Sequence, residues 1–394
     1  MKLTTILNAH RQWLLTAAFG VAVFCFWLFW LPYLMMAREQ MQLFLWNTDY
    51  LMDRLVVPGG LAQYLGEFVV QFFINPVYGA LWYVALFVAA QLLTLRLIPN
   101  KKYYLLSFVP SCVLWYLACV PNIPMTPIVA VVLTLGLMNL LPKARKVRWA
   151  TACVMVPVGY WLLGPAVVLM VMIPLTSVIY HLSLVLLLAF CIVGSAWLAP
   201  YPLRQVARGI DYYWEGDKVG TYEEMTYDVL MRRKQWQKMT DRYEQSPTES
   251  LAIRNAALVA LWSQQRISQQ ELMGRLNLSN QTFKSVSSAF LMGEVGLQTG
   301  WVNISQRSAF EAMEAIPNYN KSARALHRLV ETNIITGQYD VARKYIAILE
   351  ETTFYRGWAQ KMSLLIAHPE QIGNYPVYQR LKEVYDNGND MFFF

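Results

Sequence analysis

Charge is what this sequence has least of, and the shortage falls on one half. Residues 1–200 hold four Asp/Glu and eleven Lys/Arg, whereas residues 201–394 hold 21 and 22. Overall 15% of residues are charged, against roughly 25% in an average soluble domain. A single well-mixed globular protein is therefore excluded. The net charge of +8 divides as +7 in front and +1 behind. A nucleic-acid-binding protein carries a basic face on its soluble part, and this one is nearly neutral there, so no nucleic-acid partner is expected.

Reactive motifs are missing too. The five cysteines (Cys25, Cys112, Cys119, Cys153 and Cys191) all lie in apolar runs, and residues 201–394 have none. That leaves no disulfide framework or zinc site in the back half. Cys112 and Cys119 share a helical face but read as small packing hydrophobes. There is no phosphate-cradling Gly-rich loop with Lys, no His-Glu-x-x-His, no Cys-x-x-Cys and no nucleophile elbow. The four histidines (His10, His181, His327, His368) are scattered. Neither a metal nor a cofactor is expected.

What the front half does have is long uncharged runs. A membrane helix needs about 20 apolar residues. Between Arg11 and Arg38 lie 26 uncharged residues, giving a span near 13–35; its length and the lack of a cleavage site make it a retained anchor rather than a signal peptide. Between Glu67 and Arg96 lie 28, with a span near 79–97. Between Lys102 and Lys143 lie 40, split by Pro121-Asn122-Ile123-Pro124 into a helical hairpin. Residues 149–203 are 55 without a formal charge, and hold two spans or three. Gly164-Pro165 and Pro174 are the candidate breaks, and the run ending at Gly164 before a Pro-started helix favours three. The expectation is an all-α chain with a transmembrane bundle over 1–203, of about seven spans or alternatively six.

Nine positive residues fall on one side of this arrangement: Lys2, Arg11, Arg96, Lys101, Lys102, Lys143, Arg145, Lys146 and Arg148. By the positive-inside rule that side, with the N-terminus, is cytoplasmic. Seven spans put the back half outside; six put it inside, as Arg204 and Arg208 would favour. No span carries Asp, Glu, Lys or Arg well inside it, which argues against a secondary transporter. His181 reads as a helix-end residue near the interface rather than a buried proton carrier.

The first outer loop, 36–78, is the unusual part. Over 61–73, Leu61, Tyr64, Leu65, Phe68 and Phe72 recur at helical spacing, with Gln63, Glu67 and Gln71 opposite. Opened by Pro58-Gly59-Gly60, this amphipathic helix is expected at the membrane interface. The loop also holds all four front-half acidic residues: Glu39, Asp49, Asp53 and Glu67. Asp49 and Asp53 share a helix face at i, i+4. The loop resembles in layout that of polytopic glycosyltransferases using lipid-phosphate-linked sugar donors. That resemblance implies a catalytic acidic residue there, with Asp49, Asp53 and Glu39 as candidates; an adjacent acidic pair and a second acidic outer loop are absent. The bland alternative is helix capping and a solvated face.

From about Tyr212 the periodicity is helical throughout, with breaks near 216–220, 246–247, 277–280, 300, 317–320, 337 and 368–375. Thr336-Gly337-Gln338-Tyr339-Asp340-Val341-Ala342 places Gly, Tyr and Ala at the spacing of a tetratricopeptide-repeat turn and second helix, with Leu326 and Leu329 in the first helix. One unit earlier Gly293, Gly300, Ala312 and Pro317 fit the same pattern. A helical repeat domain of this kind is expected over 204–394, with Gly300, Gly337, Tyr339 and Ala342 as turn and packing residues; a generic helical array is the alternative. Trp214, Tyr212 and Tyr213 are expected to dock on the membrane half. The chain stops on Asp390-Met391-Phe392-Phe393-Phe394, an apolar end.

Glu39-Gln40, Leu43-Phe44, Asp49-Tyr50, Pro58-Gly59-Gly60-Leu61-Ala62 and Gln71-Phe72-Phe73 together resemble an uncharacterised family of bacterial polytopic inner-membrane proteins with a tetratricopeptide-like C-terminal half. The resemblance covers most of the chain and brings no activity with it. It implies the bacterial inner membrane, with the back half periplasmic. Repeat arrays present extended surfaces to peptides and proteins. The favoured reading is thus a membrane-anchored scaffold whose partners are the bilayer and a protein, and the enzyme acting on a lipid-linked substrate is the competitor.

Overall fold

The computed structural model describes residues 2–172, 178–216, 218–317, 320–388 and 390, and every regular element among them is helical. The chain forms two compact units, and they are not divided by a single cut near 203. Unit 1 is Met1–Met36 with Asn47–Trp214, and unit 2 is Ala37–Trp46 with Glu215–Phe394. Part of the first loop thus belongs to the helical back half. Pro174 and the Met391–Phe394 end lie outside the described residues.

Unit 1 runs through α1 (Lys2–Phe29), α2 (Pro32–Glu39, whose end enters unit 2), α3 (Thr48–Leu55), α4 (Gly60–Val70), α5 (Pro76–Leu97), α6 (Phe108–Cys119), α7 (Thr126–Asn139), α8 (Arg145–Leu163), α9 (Val168–Val171), α10 (Val178–Leu198) and α11 (Leu203–Arg208). Among the described residues four stretches are long and apolar enough to cross a membrane: Arg11–Phe29, Pro76–Leu97, Arg145–Val171, within which α8 ends at Leu163, and Val178–Leu198. They are apolar on every side, and the outward residues, such as Val21, Leu81, Val158, Phe190 and Trp197, are hydrophobic. Water would not tolerate such a surface, so it fits a lipid environment. α6 and α7 are shorter, at 12 and 14 residues.

Hydrogen bonds sort the helix ends into two groups. At one end, Gly59 donates its N–H to Trp161 O at 2.9 Å, and the Trp161 indole donates to Leu55 O at 3.0 Å. The Tyr212 hydroxyl donates to Leu163 O, Trp214 N–H to Asn122 O at 2.8 Å, and Thr126 Oγ1 to Asp211 at 2.6 Å. The α3–α4 loop, the α6–α7 turn, the end of α8 and the chain after α10 therefore meet. Trp214 is buried there within unit 1. At the other end, Gln91 bridges Thr16 and Ser107, and Asn139 donates to Leu93 O at 3.1 Å. The Trp149 indole, near the start of α8, stacks on Tyr180 and donates to Ser183 at 2.9 Å, near the start of α10. Since α8 and α10 start together and finish together, the chain returns between them. The reversal begins at Gly164 (φ 74°), where the left-handed backbone ends α8 before Pro165. His181 belongs to the other turn, its Nδ1 lying 3.2 Å from Val171 O.

Unit 2 is a succession of helices: α12 (Tyr222–Arg232), α13 (Trp236–Gln245), α14 (Leu251–Ser263), α15 (Gln269–Arg275), α16 (Val286–Thr299), α17 (Val302–Ala315), α18 (Ala323–Ile335), α19 (Tyr339–Glu350), α20 (Arg356–Ala367) and α21 (Pro376–Asp386). Four of its turns share one geometry. Lys234, Gln265, Gly300 and Gly337 all have positive φ (52°, 59°, 95° and 76°). The N–H of the residue after each bonds back five residues: Gln235 to Leu230, Arg266 to Leu261, Trp301 to Gly296 and Gln338 to Asn333. This is the Schellman closure of a helix C-terminus. The turns join α12 to α13, α14 to α15, α16 to α17 and α18 to α19, and Ala342 is fully buried. The two glycine turns are the ones read from the sequence; the other two carry Lys and Gln in a conformation that normally selects glycine.

Candidate functional site

The first loop supplies polar side chains to both units, and each is described separately. In unit 1, Asn47 caps α3 by accepting the Tyr50 N–H at 2.6 Å. The helix then presents two i, i+4 pairs. Asp49 and Asp53 are exposed and make no side-chain hydrogen bond with another described residue. Tyr50 and Arg54, one position on from each, turn toward α4. There the Glu67 carboxylate accepts from the Tyr50 hydroxyl at 2.5 Å, Arg54 Nε at 3.0 Å and Gln63 Nε2 at 3.0 Å. Arg54 also donates to the Tyr50 hydroxyl at 3.1 Å. Glu67 is fully buried, and its charge is matched by one guanidinium and two neutral donors. Such a group anchors α3 to α4.

α4 is inverted relative to a helix on a water surface. Its polar face, Gln63 and Glu67, is buried, as is Gln71 in the 3-10 turn that continues it, whereas Leu61, Tyr64, Leu65 and Phe68, and Phe72 in that turn, are half-exposed. Pro58, ahead of it, is buried. The helix packs closely on the start of α7: a Cβ on Gly66 would sit 3.0 Å from Thr126 N and 3.2 Å from Met125 C. Beside it runs an apolar groove of about 270 Å³ whose walls include Leu61, Leu133, Leu137, Val158 and Leu162.

In unit 2, residues 37–46 form a strap. Gln42–Trp46 have no regular secondary structure, yet the side chains of Met41 to Leu45 are buried. Leu43 N–H donates to Lys321 O at 3.0 Å and Trp46 N–H to Glu351 O at 3.0 Å. Side chains add to this. Tyr355 donates to Glu39 at 2.9 Å, Arg324 to Gln40 Oε1 at 2.8 Å, and the Trp46 indole to Thr353 at 2.7 Å.

The seat of the strap is an ionic network. Arg324 grips Asp228 with two bonds of 2.6 Å, reaches Glu294 at 3.0 Å and lies over the Phe290 ring. Arg328 bonds Glu294 at 2.6 Å and Glu331 at 2.8 Å, and Tyr378 donates to Glu331 at 2.8 Å. Burial raises the Glu294 and Glu331 carboxyls, but Arg328 leads a larger opposing pull that leaves Glu294 below its usual range and Glu331 at about 2. Glu39 is the exception: burial pushes it up to about 7, only partly offset by the Tyr355 hydrogen bond and by Arg232 and Arg324.

Asp49 and Asp53 sit on the open face of α3 in unit 1, and Glu39 is sealed in unit 2. The sequence places Glu67 on the polar face of the 61–73 helix with Gln63 and Gln71, but does not pair it with Tyr50 and Arg54. The Arg324 network left no trace beyond ordinary helix polarity. Among the described residues no three His, Cys, Asp or Glu side chains gather as a metal cage. No curated protein and no solved structure matches the chain. A family model does match, over residues 9–394, and on that breadth the chain belongs to DUF6057, a family of unknown function.

Proposed function

We propose that this protein is a multi-pass membrane scaffold whose helical unit holds a protein or peptide partner. The observation that carries the reading is the strap: unit 2 already binds residues 37–46, which leave the helix after Glu39, through main-chain bonds at Leu43 and Trp46 and side-chain bonds at Glu39, Gln40 and Trp46. The four matching turns, 31, 35 and 37 residues apart, support a degenerate tetratricopeptide-like array. The grouping of helix ends in unit 1 supports seven crossings, with α6, α7 and the Gly164–Met172 limb as the short ones. On that count, and by the positive-inside rule, unit 2 lies outside a bacterial inner membrane. The test pairs two sets of variants at equal abundance. Asp49→Asn and Asp53→Asn are expected to be silent, whereas Gly337→Val with Ala342→Asp abolishes partner capture. Loss of function from either Asn variant alone would defeat a pure scaffold.

One observation favours a second reading, lipid handling in the first loop. The aliphatic groove beside α4 has the dimensions and chemistry for an acyl chain, as an enzyme acting on a lipid-linked substrate would need. That reading predicts that Leu133→Trp, which fills the groove, blocks photo-crosslinking of a diazirine-labelled phospholipid and abolishes function.

A further inference from the structure

The strap is held as a ligand is held. Besides the buried side chains of Met41, Leu43, Phe44 and Leu45, it is held by main-chain bonds at Leu43 and Trp46 and by polar side chains at Glu39, Gln40 and Trp46, the means by which an extended segment is recognised on a folded surface. The ion pairs of its seat do not depend on it. Arg324 keeps both Asp228 and Glu294 as partners, and Arg328 keeps Glu294 and Glu331, so withdrawing the strap strands none of these ions.

The strap is, moreover, an imperfect occupant. Gln42 is buried with both its amide nitrogen and its amide oxygen lacking a hydrogen-bond partner among the described residues. An unsatisfied buried amide weakens the state that contains it. A segment present only to complete a core would carry Leu or Met there.

We infer that residues 37–46 are a displaceable internal ligand: the seat formed by Lys321, Arg324, Glu351, Thr353 and Tyr355 is the partner surface of unit 2, closed by the chain's own loop until a partner segment takes its place. This rests on the scaffold reading and specifies its regulation. The chemistry of the seat defines the partner segment: a carboxyl and an amide side by side, for Tyr355 and Arg324, followed by apolar and aromatic side chains.

The full chain in detergent tests this, with a fluorescein-labelled synthetic peptide of residues 37–46 as probe. Leu43→Cys with Lys321→Cys places a thiol pair across a main-chain bond in a unit with no native cysteine, so that oxidation locks the strap. Peptide binding is expected to fall at least tenfold on oxidation and to return with reductant. Gln40→Ala with Trp46→Ala weakens the strap and leaves the seat intact, and is expected to bind the peptide at least tenfold tighter than wild type. An oxidised lock that binds peptide as wild type does, or a folded strap-weakened chain with no gain, would overturn the inference. Partner capture that survives the oxidised lock would also overturn it and leave the scaffold reading standing. Peptide exchange that behaves as expected, with partner capture indifferent to the Gly337 and Ala342 changes, would instead sink the scaffold reading.

Discussion

The Tyr355 hydroxyl donates to the Glu39 carboxyl at 2.9 Å across 316 residues of sequence. This pair joins the first loop to the turn between α19 and α20, and it puts a carboxyl that is hard to ionise inside unit 2.

A pH dependence follows. Glu39 has a folded pKa of about 7 against an ordinary 4.5, so between these values the native state binds more protons than the unfolded chain. Stability then falls as pH rises through that window, by at most about 3 kcal/mol at 1.36 kcal/mol per unit. Thermal melts of wild type and Glu39→Gln from pH 5 to pH 8 should diverge, with wild type losing ground. Parallel curves would refute the assignment. Glu331, held at about 2, acts oppositely: its contribution is lost only as pH falls below 4.5.

Arg324→Met should be among the most damaging single changes in unit 2. It leaves Asp228 and Glu294 buried with fewer cations, at a cost of about 3–5 kcal/mol. Arg324→Lys restores the charge but not the two-pronged grip on Asp228, and should recover less than half of the lost melting temperature. Full recovery by Lys would show that only charge matters there.

The four matching turns make a prediction of opposite signs. Lys234→Gly and Gln265→Gly should each stabilise unit 2 by about 1 kcal/mol, since the left-handed backbone penalises a side chain. Gly337→Ala should cost about the same, for conformational reasons alone, because a Cβ there would meet no atom within 4 Å. Chemical denaturation midpoints decide it, and a loss of stability in Lys234→Gly would mean that the lysine side chain contributes something unseen.

In unit 1, Gly66→Val should disrupt the packing of α4 on α7, because the added carbons meet backbone atoms rather than movable side-chain ends. A loss of about 1–3 kcal/mol is expected, read as a lower aggregation temperature in detergent. Unchanged behaviour would mean that the two helices are not in contact.

Much of this architecture was legible in the sequence, where one local signal sufficed. The apolar run around 79–97 became α5, that around 13–35 became α1 as far as Phe29 and then the start of α2, and Gly164-Pro165 became a chain reversal. Gly300 and Gly337 marked two turns correctly. Lys234 and Gln265 close two more, and were missed because neither residue type advertises a left-handed backbone. The site was harder. The Asp49/Asp53 spacing was as visible as the Tyr50/Arg54 spacing one residue along, and helix periodicity alone does not say which pair faces inward. The strap was invisible, since Met41-Gln42-Leu43-Phe44-Leu45 reads as a continuation of loop helices. Its partners lie some 280 residues or more downstream, at Lys321 and beyond.

That separation has a consequence for biosynthesis. The strap leaves the ribosome long before its seat exists, because Tyr355 is translated 316 residues after Glu39. At about 5–20 residues per second the gap is roughly 15–60 s. For that interval Met41, Leu43, Phe44 and Leu45 have no protein surface to cover them, while the helices of unit 1 that flank them are already being made. Unit 2 is thus a domain whose first piece is translated early and whose closure waits for residues 321–355, and a ribosome stalled before Arg324 would leave that piece exposed.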